Sequence, residues 1–389
     1  MKKIKLLYDA TYIVEGLSSN NFYRSGIFWV AYNILKQFLK SSNYKVTLLI
    51  PSFSLSLKKY FLSHFNSPFN ILLVKNINKY FKLNKFNIFI TPIYYSPDII
   101  TKNASIMCYH ILHDCIPSLH RDFYPYLDTN HWYSKLINNL NKETYYLCVS
   151  ESTRNDFFRL FQPQLDQNKM YVTHISSSMN FFPFYDKEIF HKLLIKYRIT
   201  NKSNINYVFS LCTVEPRKNL FFTISCFIKF IKNNNIDNLY FIHGGSNYDD
   251  HFFQLKEKLN ALSEFQDRII FLGYIDDEDL NVFYSNSLFF IYLSQYEGFG
   301  IPVLEAMQSG TPVICSNSSS FPEVVGDAAI KIPYNDNDLC IKAMEDLIFN
   351  ENLRKMYISK GIERGKIFSW ENTFFQMNTI IHNNFKSGT

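Results

Sequence analysis

The sequence predicts an α/β protein made of two doubly wound domains, each built on a parallel sheet. Its 389 residues are more than one hydrophobic core usually organises, so we expect two domains. Hydrophobic residues make up 47% of the chain and charged residues 19%, which suits a well-buried globular protein. Short, continuous apolar segments alternate with helical segments, and this alternation is typical of parallel strands covered by helices on both faces.

The second half of the chain shows this alternation most clearly. "YVFSLCT" is rich in strand-forming residues, whereas "NLFFTISCFIKFIKNN" has its apolar residues at helical spacing. The predicted strands of this half are 207–213, 238–245, 268–274, 288–294 and 311–316. The predicted helices between them are 219–234, 252–265, 276–287 and 302–310. This succession predicts a doubly wound α/β domain.

The first half repeats the pattern less regularly. Its predicted strands are 4–11, 45–50, 70–74, 86–91, 105–111, 145–150 and 171–175. Helical stretches lie between them, notably "GIFWVAYNILKQFLK" (26–40) and "ESTRNDFFRLF" (151–161). The first half is therefore expected to form a second α/β domain.

The join between the two domains is expected in "SSSMNFFPFYD" (176–186), a polar run followed by two phenylalanines and a proline. We expect an N-terminal domain over 1–180 and a C-terminal domain over 181–367. Residues 368–389 are expected to form a closing helix or pair of helices that packs back towards the N-terminal domain. Two such domains facing each other would form a cleft, and ligands of doubly wound sheets bind at the carboxyl ends of the strands.

Charge and cysteine content narrow the class of protein. The net charge of +6 and the pI near 8.7 suit a protein that handles anionic ligands or touches an anionic membrane face. No nucleic-acid-binding motif is recognisable, so no nucleic-acid partner is expected. The seven cysteines include no CxxC pair and lie mostly in apolar runs, which favours buried, reduced thiols in a cytoplasmic protein.

The sequence offers two interpretations of possible membrane contact. The basic N-terminus has too short an apolar stretch for a signal peptide, and no run approaches the length of a membrane span. The segment "VKNINKYFKLNKF" (74–86) interleaves lysines with aromatic residues, as an interfacial helix does. An ordinary solvated helix face explains this segment equally well. The segment is therefore interpreted either as a peripheral contact with the inner membrane face or as an ordinary solvated helix.

A basic pair follows the first strand of the second half. In "CTVEPRKNL", Arg217 and Lys218 come at the strand end, beside the start of the next helix. Two cations at a helix start oppose the helix dipole unless an anion compensates them. The sequence therefore favours an anion site at this strand end over a solvated basic turn.

A pair of glutamates follows a later strand. In "EGFGIPVLEAM", Glu297 precedes a glycine-rich turn, and Pro302 suits the first turn of a helix. Glu305 is expected within that first turn. Gly298 and Gly300 let the backbone approach a ligand closely. Carboxylates beside a phosphate site repel the phosphate unless they bind hydroxyl groups, so a ligand with phosphates and hydroxyls is expected, namely a sugar nucleotide.

Taken together, "EGFGIPVLEAM" and "EPRKN" resemble family 4 of the retaining glycosyltransferases, also described as glycosyl transferases group 1. Further similar segments are "GYIDDEDLNVFYSNS", "SGTPVICSNSSSFPEVVGDAAIKI" and "FSWENT", and in the first half "YRSGIFWVAYNIL", "HILHDCIP" and "VSESTRNDF". The resemblance spans nearly the whole chain and is most specific in the second half. It implies the GT-B fold, with two Rossmann-like domains facing across a cleft.

The resemblance implies roles for the charged residues. Arg217 and Lys218 match the positions that bind the donor diphosphate and stabilise the leaving group. Glu305 matches the position that holds the ribose hydroxyls, and Glu297 the position that binds hydroxyls of the transferred sugar. Of these, Glu297, Arg217 and Lys218 are the expected catalytic residues of this domain.

The remaining implied contacts come from backbone and from the N-terminal domain. The backbone of Phe299, Gly300 and Ile301 matches the segment that contacts sugar and phosphate. His113, in "HILHDCIP", matches the histidine that reaches the donor sugar, whereas taken alone it suits a buried, satisfied histidine. Gly26 matches the glycine that makes room for the donor phosphate near the acceptor.

The implied activity is a retaining, metal-independent hexosyl transfer in surface polysaccharide biosynthesis. The donor would be a nucleotide-diphosphate sugar, with GDP-mannose favoured by the "HILHDCIP" pattern, and the acceptor a glycan or a polyprenyl-linked glycan. No resident cofactor or metal is expected. Cys212 and His243 stand where the family usually has glycine, which bears on donor choice. Two alternatives stay open: a sugar-nucleotide epimerase of the same architecture, and an inactive sugar-nucleotide-binding scaffold subunit.

Overall fold

The computed structural model describes most of the chain in two units. The described residues are 3–18, 26–50, 65, 69–73, 86–92, 100, 103, 105–123, 132–177, 181–199, 205–245, 250–261 and 265–387. Met1–Ser178 and Phe368–Thr389 together form the N-terminal unit, and Met179–Ile367 forms the C-terminal unit. The chain therefore leaves the first unit near residue 178 and returns to it for its last helix.

The described strands of the N-terminal unit form a seven-stranded sheet in the order β3-β2-β1-β4-β5-β6-β7, and every neighbouring pair is parallel. In chain order they are β1 (Ile4–Asp9), β2 (Tyr44–Ile50), β3 (Asn70–Leu73), β4 (Ile88–Thr91), β5 (Met107–Leu112), β6 (Tyr145–Cys148) and β7 (Met170–Val172). Their central members are buried along most of their length, which is why the sequence reads as continuous apolar runs.

Helices pack on this sheet. Along the first part of the chain they are α1 (Thr11–Ser18), α2 (Gly26–Lys40), α3 (Ile116–Leu119), α4 (Trp132–Asn138) and α5 (Glu151–Phe161). The C-terminal segment, expected to be one or two helices, is a single helix, Trp370–Ser387. It packs on α2, where Gln37 Nε2 donates to Glu371 Oε1 at 3.0 Å, and it also accepts a hydrogen bond at Asn378 Oδ1 from Tyr44 OH of β2 at 2.7 Å.

The described strands of the C-terminal unit form a six-stranded parallel sheet in the order β10-β9-β8-β11-β12-β13. They are β8 (Tyr207–Leu211), β9 (Tyr240–Gly244), β10 (Ile269–Gly273), β11 (Phe289–Tyr292), β12 (Val313–Ser316) and β13 (Ile330–Ile332). The chain builds outward from β8 to β10 and then returns to lay β11 on the other side of β8. The carboxyl ends of β8 and β11 therefore flank the point where the strand order reverses, where doubly wound sheets bind ligands.

Helices cover this sheet as well. Those described are α6 (Lys187–Lys196), α7 (Leu220–Asn233), α8 (Asp250–Asn260), α9 (Asp277–Ser285), α10 (Ile301–Gln308), α11 (Phe321–Val325), α12 (Asn337–Phe349) and α13 (Glu351–Gly365). In α7 the buried residues recur at helical spacing, as at Leu220, Ile224, Phe227 and Ile231, and they join the core beneath the sheet. This core fixes the start of α7, and with it the turn that carries the basic pair.

Candidate active site

The basic pair lies in a tight turn between β8 and α7. Arg217 and Lys218 occupy a 3₁₀ turn, Pro216–Lys218, and Asn219 follows in the left-handed region at φ 58°. We expected the pair to open the helix, but α7 begins two residues later than Lys218, because the left-handed residue separates the turn from the helix. The side chains of Arg217 and Lys218 are only 6% and 11% exposed. Two cations are thus largely buried at a strand end.

Glu297 is the anion that the two cations share. Its Oε1 accepts hydrogen bonds from four side chains: Arg217 Nη1 at 2.8 Å, Lys218 Nζ at 2.7 Å, Tyr292 OH at 2.9 Å and Ser294 Oγ at 2.7 Å. Among the described residues, all four of these donors reach Oε1 and none reaches Oε2. One carboxylate oxygen therefore gathers side chains from β11, from the loop after it and from the turn after β8.

The electrostatics of this cluster keep Glu297 ionised. Burial of the carboxyl group raises its pKa, but Lys218 and then Arg217 lower it by more, to about 2. The phenol of Tyr292 has its pKa raised well above the ordinary value by burial and by the Glu297 charge, so it stays protonated and donates. At neutral pH Glu297 is an anion and an acceptor, and it has no proton to give.

The second predicted glutamate lies deeper in α10. We expected Glu305 in the first helical turn, but α10 begins at Ile301, so Glu305 is its fifth residue. It is buried, and its Oε2 accepts a hydrogen bond from Tyr284 OH at 3.1 Å. Burial, and then the charge of Glu305, raise the pKa of Tyr284, so that hydroxyl also donates.

The turn before α10 depends on glycine. Gly300 precedes the helix at φ 93°, and a Cβ there would lie 2.8 Å from Cε1 of Phe321. Phe299 beside it is buried, and Ile301 is the first helical residue. The N–H of Ile301 is among those that have no intrahelical partner, so it can donate to an anion at this end of the helix.

The two predicted site residues of the N-terminal unit are His113 and Gly26. His113 follows β5 and is buried, with Nε2 2.7 Å from the carbonyl oxygen of Pro92. Because a carbonyl only accepts, Nε2 must carry the hydrogen in this bond. Burial lowers the pKa of His113 to about 4, and the Pro92 bond raises it in part, so the ring is neutral at pH 7. Gly26 is the exposed first residue of α2.

Cys212 and His243 lie next to each other near the carboxyl ends of β8 and β9. His243 is fully buried, with its ring against the edge of Phe271 at 5.8 Å between centroids. Burial lowers its pKa to about 3, and the backbone of Cys212 raises it in part, although neither ring nitrogen has a hydrogen bond of ordinary geometry among the described residues. Both side chains are buried, and their bearing on donor choice stays a prediction.

Four partners of this cluster were not predicted, namely Glu215, Tyr292, Ser294 and Ser319. Tyr292 ends β11 and Ser294 follows two residues later, so the strand-end rule could have indicated both. Ser319 Oγ accepts the backbone N–H of Glu297 at 2.9 Å from the loop after β12. No sequence signal indicated that contact.

Two further predictions concern metal binding and membrane contact. Among the described residues, no group of three or more His, Cys, Asp or Glu side chains is placed to hold a metal ion. No helix in the described part of the chain is both long and apolar enough to cross a membrane. The basic aromatic segment 74–86 lies outside the described residues, except for Phe86, which is buried.

Comparison with known proteins agrees with this architecture. The family model "Glycosyl transferases group 1" matches residues 195–364. The O-antigen chain mannosyltransferase B of Escherichia coli is 30% identical over 281 residues, which cover 72% of this chain and 71% of that protein. The serotype-specific mannosyltransferase WbdA of Escherichia coli is 27% identical over 273 residues, which cover 68% of this chain and 32% of that protein.

Solved structures bear on the fold. Anabaena Alr3699/HepE, solved in complex with UDP and glucose, matches with a TM-score of 0.72 at 14% identity, over 98% of this chain and 100% of that chain. Together with the two Rossmann-like sheets, this likeness defines the fold as GT-B. The chain belongs to the group 1 glycosyltransferases and is similar to their mannosyltransferase members. The predicted family and fold are thereby confirmed.

Proposed function

We propose that this chain is a retaining mannosyltransferase that moves a hexose from a nucleotide-diphosphate sugar to a glycan or polyprenyl-linked acceptor. GDP-mannose is the favoured donor, and the process is surface polysaccharide biosynthesis of the O-antigen type, on the cytoplasmic face of the membrane. The names of the two mannosyltransferase relatives support the sugar and the process. The observation that carries the proposal is the buried cluster of Arg217, Lys218 and Glu297 where the strand order of the sheet reverses.

On the leaving-group side, the cations have a defined task. As the bond between sugar and diphosphate breaks, negative charge grows on the phosphate, and Arg217 and Lys218 stabilise it because they are already fixed in a buried site. The N–H of Ile301, at the start of α10, adds a further donor. The departing phosphate accepts the proton of the acceptor hydroxyl, so this route requires neither a dedicated base nor a metal ion.

On the sugar side, the carboxylates act as acceptors. Glu297, held as an anion, binds hydroxyls of the transferred sugar, and Glu305 binds the ribose. The backbone of Phe299 and Gly300 lies against the sugar and phosphate, which fits the close approach that glycine permits. From the N-terminal unit, the neutral imidazole of His113 contacts the donor sugar.

Gly26, also in the N-terminal unit, leaves room for the donor phosphate beside the acceptor. This role rests on the resemblance of "YRSGIFWVAYNIL" to the family's glycine loop, since residues 19–25 lie outside the described part of the chain.

The test is a donor screen that measures nucleotide release and transfer with a panel of sugar nucleotides, with and without EDTA. We expect GDP-mannose to be turned over, EDTA to have no effect, and the product to keep the anomeric configuration of the donor. Inverted product, or loss of activity in EDTA, would contradict the mechanism. An epimerised donor without transfer would indicate the epimerase, and binding without turnover would indicate the scaffold subunit.

Two variants test the diphosphate site directly. The double substitution Arg217→Ala, Lys218→Ala is expected to abolish release, whereas Lys192→Ala serves as a control because that lysine makes an exposed ion pair in α6. Unchanged turnover in the double variant would remove the diphosphate assignment.

A further inference from the structure

A carboxylate without an assigned role lies two residues before Arg217. Glu215 precedes the 3₁₀ turn and is part of the segment "EPRKN". Its side chain is 32% exposed, so it lies at the edge of the buried cluster. It has no contact with Glu297 by hydrogen bond, since both groups are acceptors, yet it shares a cation with it.

Each oxygen of the Glu215 carboxylate has its own donor. Thr213 Oγ1 donates to Oε1 at 2.7 Å, and Arg217 Nη2 donates to Oε2 at 3.1 Å. The backbone locks the same segment, because the N–H of Glu215 bonds the carbonyl of Thr213 at 3.0 Å and the N–H of Lys218 bonds the carbonyl of Glu215 at 2.9 Å. The carboxylate is therefore a bridge between a fixed backbone segment and one arm of the guanidinium.

The other arm of the guanidinium faces the site. Arg217 Nη1 donates to Glu297 Oε1 and to the carbonyl oxygen of Tyr296. A guanidinium is a rigid planar fork, so a partner on Nη2 determines the direction in which Nη1 points. Glu215 thus binds Nη2 of Arg217, while Nη1 of the same guanidinium points to the position where an anion would bind.

We propose that Glu215 is a positioning residue, which fixes the guanidinium of Arg217 so that Nη1 faces the leaving diphosphate. This inference rests on the proposed function of the site. Charge stabilisation in a transition state depends on donors that are oriented before the reaction. Loss of the bridge should accordingly lower kcat more than it raises KM for the donor, because a misdirected arginine still attracts a phosphate in the ground state.

The experiment is a double-mutant cycle on nucleotide release. Glu215→Ala is expected to lower kcat about tenfold or more with a smaller change in KM. Arg217→Lys keeps a charge but has no planar fork for Glu215 to orient, so adding Glu215→Ala to it should cause no further loss. Thr213→Val, which removes the far support of the bridge, should give a smaller loss than Glu215→Ala. Glu188→Ala, in an exposed ion pair of α6, is the matched control and should leave kcat unchanged.

Folding and geometry are checked separately. Glu215→Gln keeps an acceptor oxygen, so it should recover part of the lost kcat, and it replaces Glu215→Ala if that variant does not fold. In protein labelled with ¹⁵N-arginine, hindered rotation should give distinct Nη signals for Arg217, identified by their loss in Arg217→Lys. These signals should shift and broaden in Glu215→Ala, because the bond that holds Nη2 is lost.

The outcomes separate this inference from the proposed function. If the wild type turns over no sugar nucleotide, the proposed function fails, while the Nη signals still report whether Glu215 orients Arg217. If Glu215→Ala lowers kcat equally in the Arg217→Lys background, or leaves the Nη signals unchanged, the positioning role is overturned.

Discussion

Replacing Glu297 by glutamine removes the anion on which Arg217 and Lys218 converge. Glutamine is neutral and close in shape to the protonated carboxyl group, so the variant imitates Glu297 after protonation. The pKa of Glu297 is about 2 against an ordinary 4.5, a difference of 4.5 − 2 = 2.5. At about 1.36 kcal/mol for each pKa unit, the folded site prefers the carboxylate by about 3 kcal/mol. The side chain is only 12% exposed, so solvent screening removes little of this preference.

The sign of the pH dependence follows from the lowered pKa. A carboxyl group whose pKa is lower in the folded protein contributes stability above pH 4.5, and that stability is lost as the pH falls from 4.5 towards 2. We therefore expect Glu297→Gln to reduce the unfolding free energy of the C-terminal unit by about 3 kcal/mol at pH 7. The deficit should be smaller by about 1.4 kcal/mol at pH 3.5, because the wild type loses stability that the variant never had.

The assay has to follow the C-terminal unit selectively. The three tryptophans are Trp29, Trp132 and Trp370, all in the N-terminal unit, so tryptophan fluorescence does not report on this site. Urea unfolding should instead be followed by circular dichroism together with hydrogen exchange of peptides from 179–367, between pH 7 and pH 3.5. Glu188→Gln, which removes an exposed ion pair in the same unit, should cost no more than about 0.5 kcal/mol. A deficit for Glu297→Gln that stays constant across this pH range would refute the reasoning.

Three further predictions follow from the same region. Lys218→Met should raise the pKa of Glu297, as followed by carboxyl ¹³C NMR; an unchanged pKa would contradict the ion pair. Gly300→Ala should destabilise the C-terminal unit by about 1–2 kcal/mol or more, because its φ is 93° and the new Cβ meets Phe321, as measured by urea unfolding. Gly361→Ala, where a Cβ makes only ordinary contacts at 3.5 Å, is the matched control and should be neutral or stabilising. Because Glu297 and a diphosphate would compete for Arg217 and Lys218, Glu297→Gln should bind a nucleoside diphosphate more tightly than the wild type in calorimetry. Weaker binding by the variant would contradict this competition.

The architecture of the C-terminal unit could be predicted from the sequence because both faces of its sheet are covered. Buried parallel strands such as β8 and β11 appear in the sequence as short continuous apolar runs, and α7 between them shows a helical period over four turns. The ends of strands and helices were predicted less accurately. Strand 171–175 was expected to run to residue 175, but β7 ends at Val172, and the N–H of Thr173 makes one more bond to the Cys148 carbonyl at the end of β6.

The sequence named Arg217, Lys218 and Glu297 of this cluster but not their contacts or their other partners. The strand-end rule located Arg217 and Glu297 correctly after β8 and β11. Their direct hydrogen bond joins residues 80 positions apart, and it forms because β11 lies beside β8 in the sheet. Alternation of helices and strands does not determine that order, so the sequence could not show that Glu297 is the anion shared by both cations.

The pairing of Glu297 with both cations links the two halves of the proposed donor. The charges joined by ion pairs in this cluster balance, since Arg217 and Lys218 are matched by Glu215 and Glu297. Under the proposed function, a diphosphate reaching these cations has to compete with Glu297 Oε1. Glu215 holds the opposite arm of Arg217, so the guanidinium keeps its direction during the exchange. The carboxylate released from the cations is then an ionised acceptor beside the sugar, because its remaining donors, Tyr292 and Ser294, continue to hold it in place. Phosphate binding and sugar recognition are in this way two consequences of one exchange of partners at Glu297.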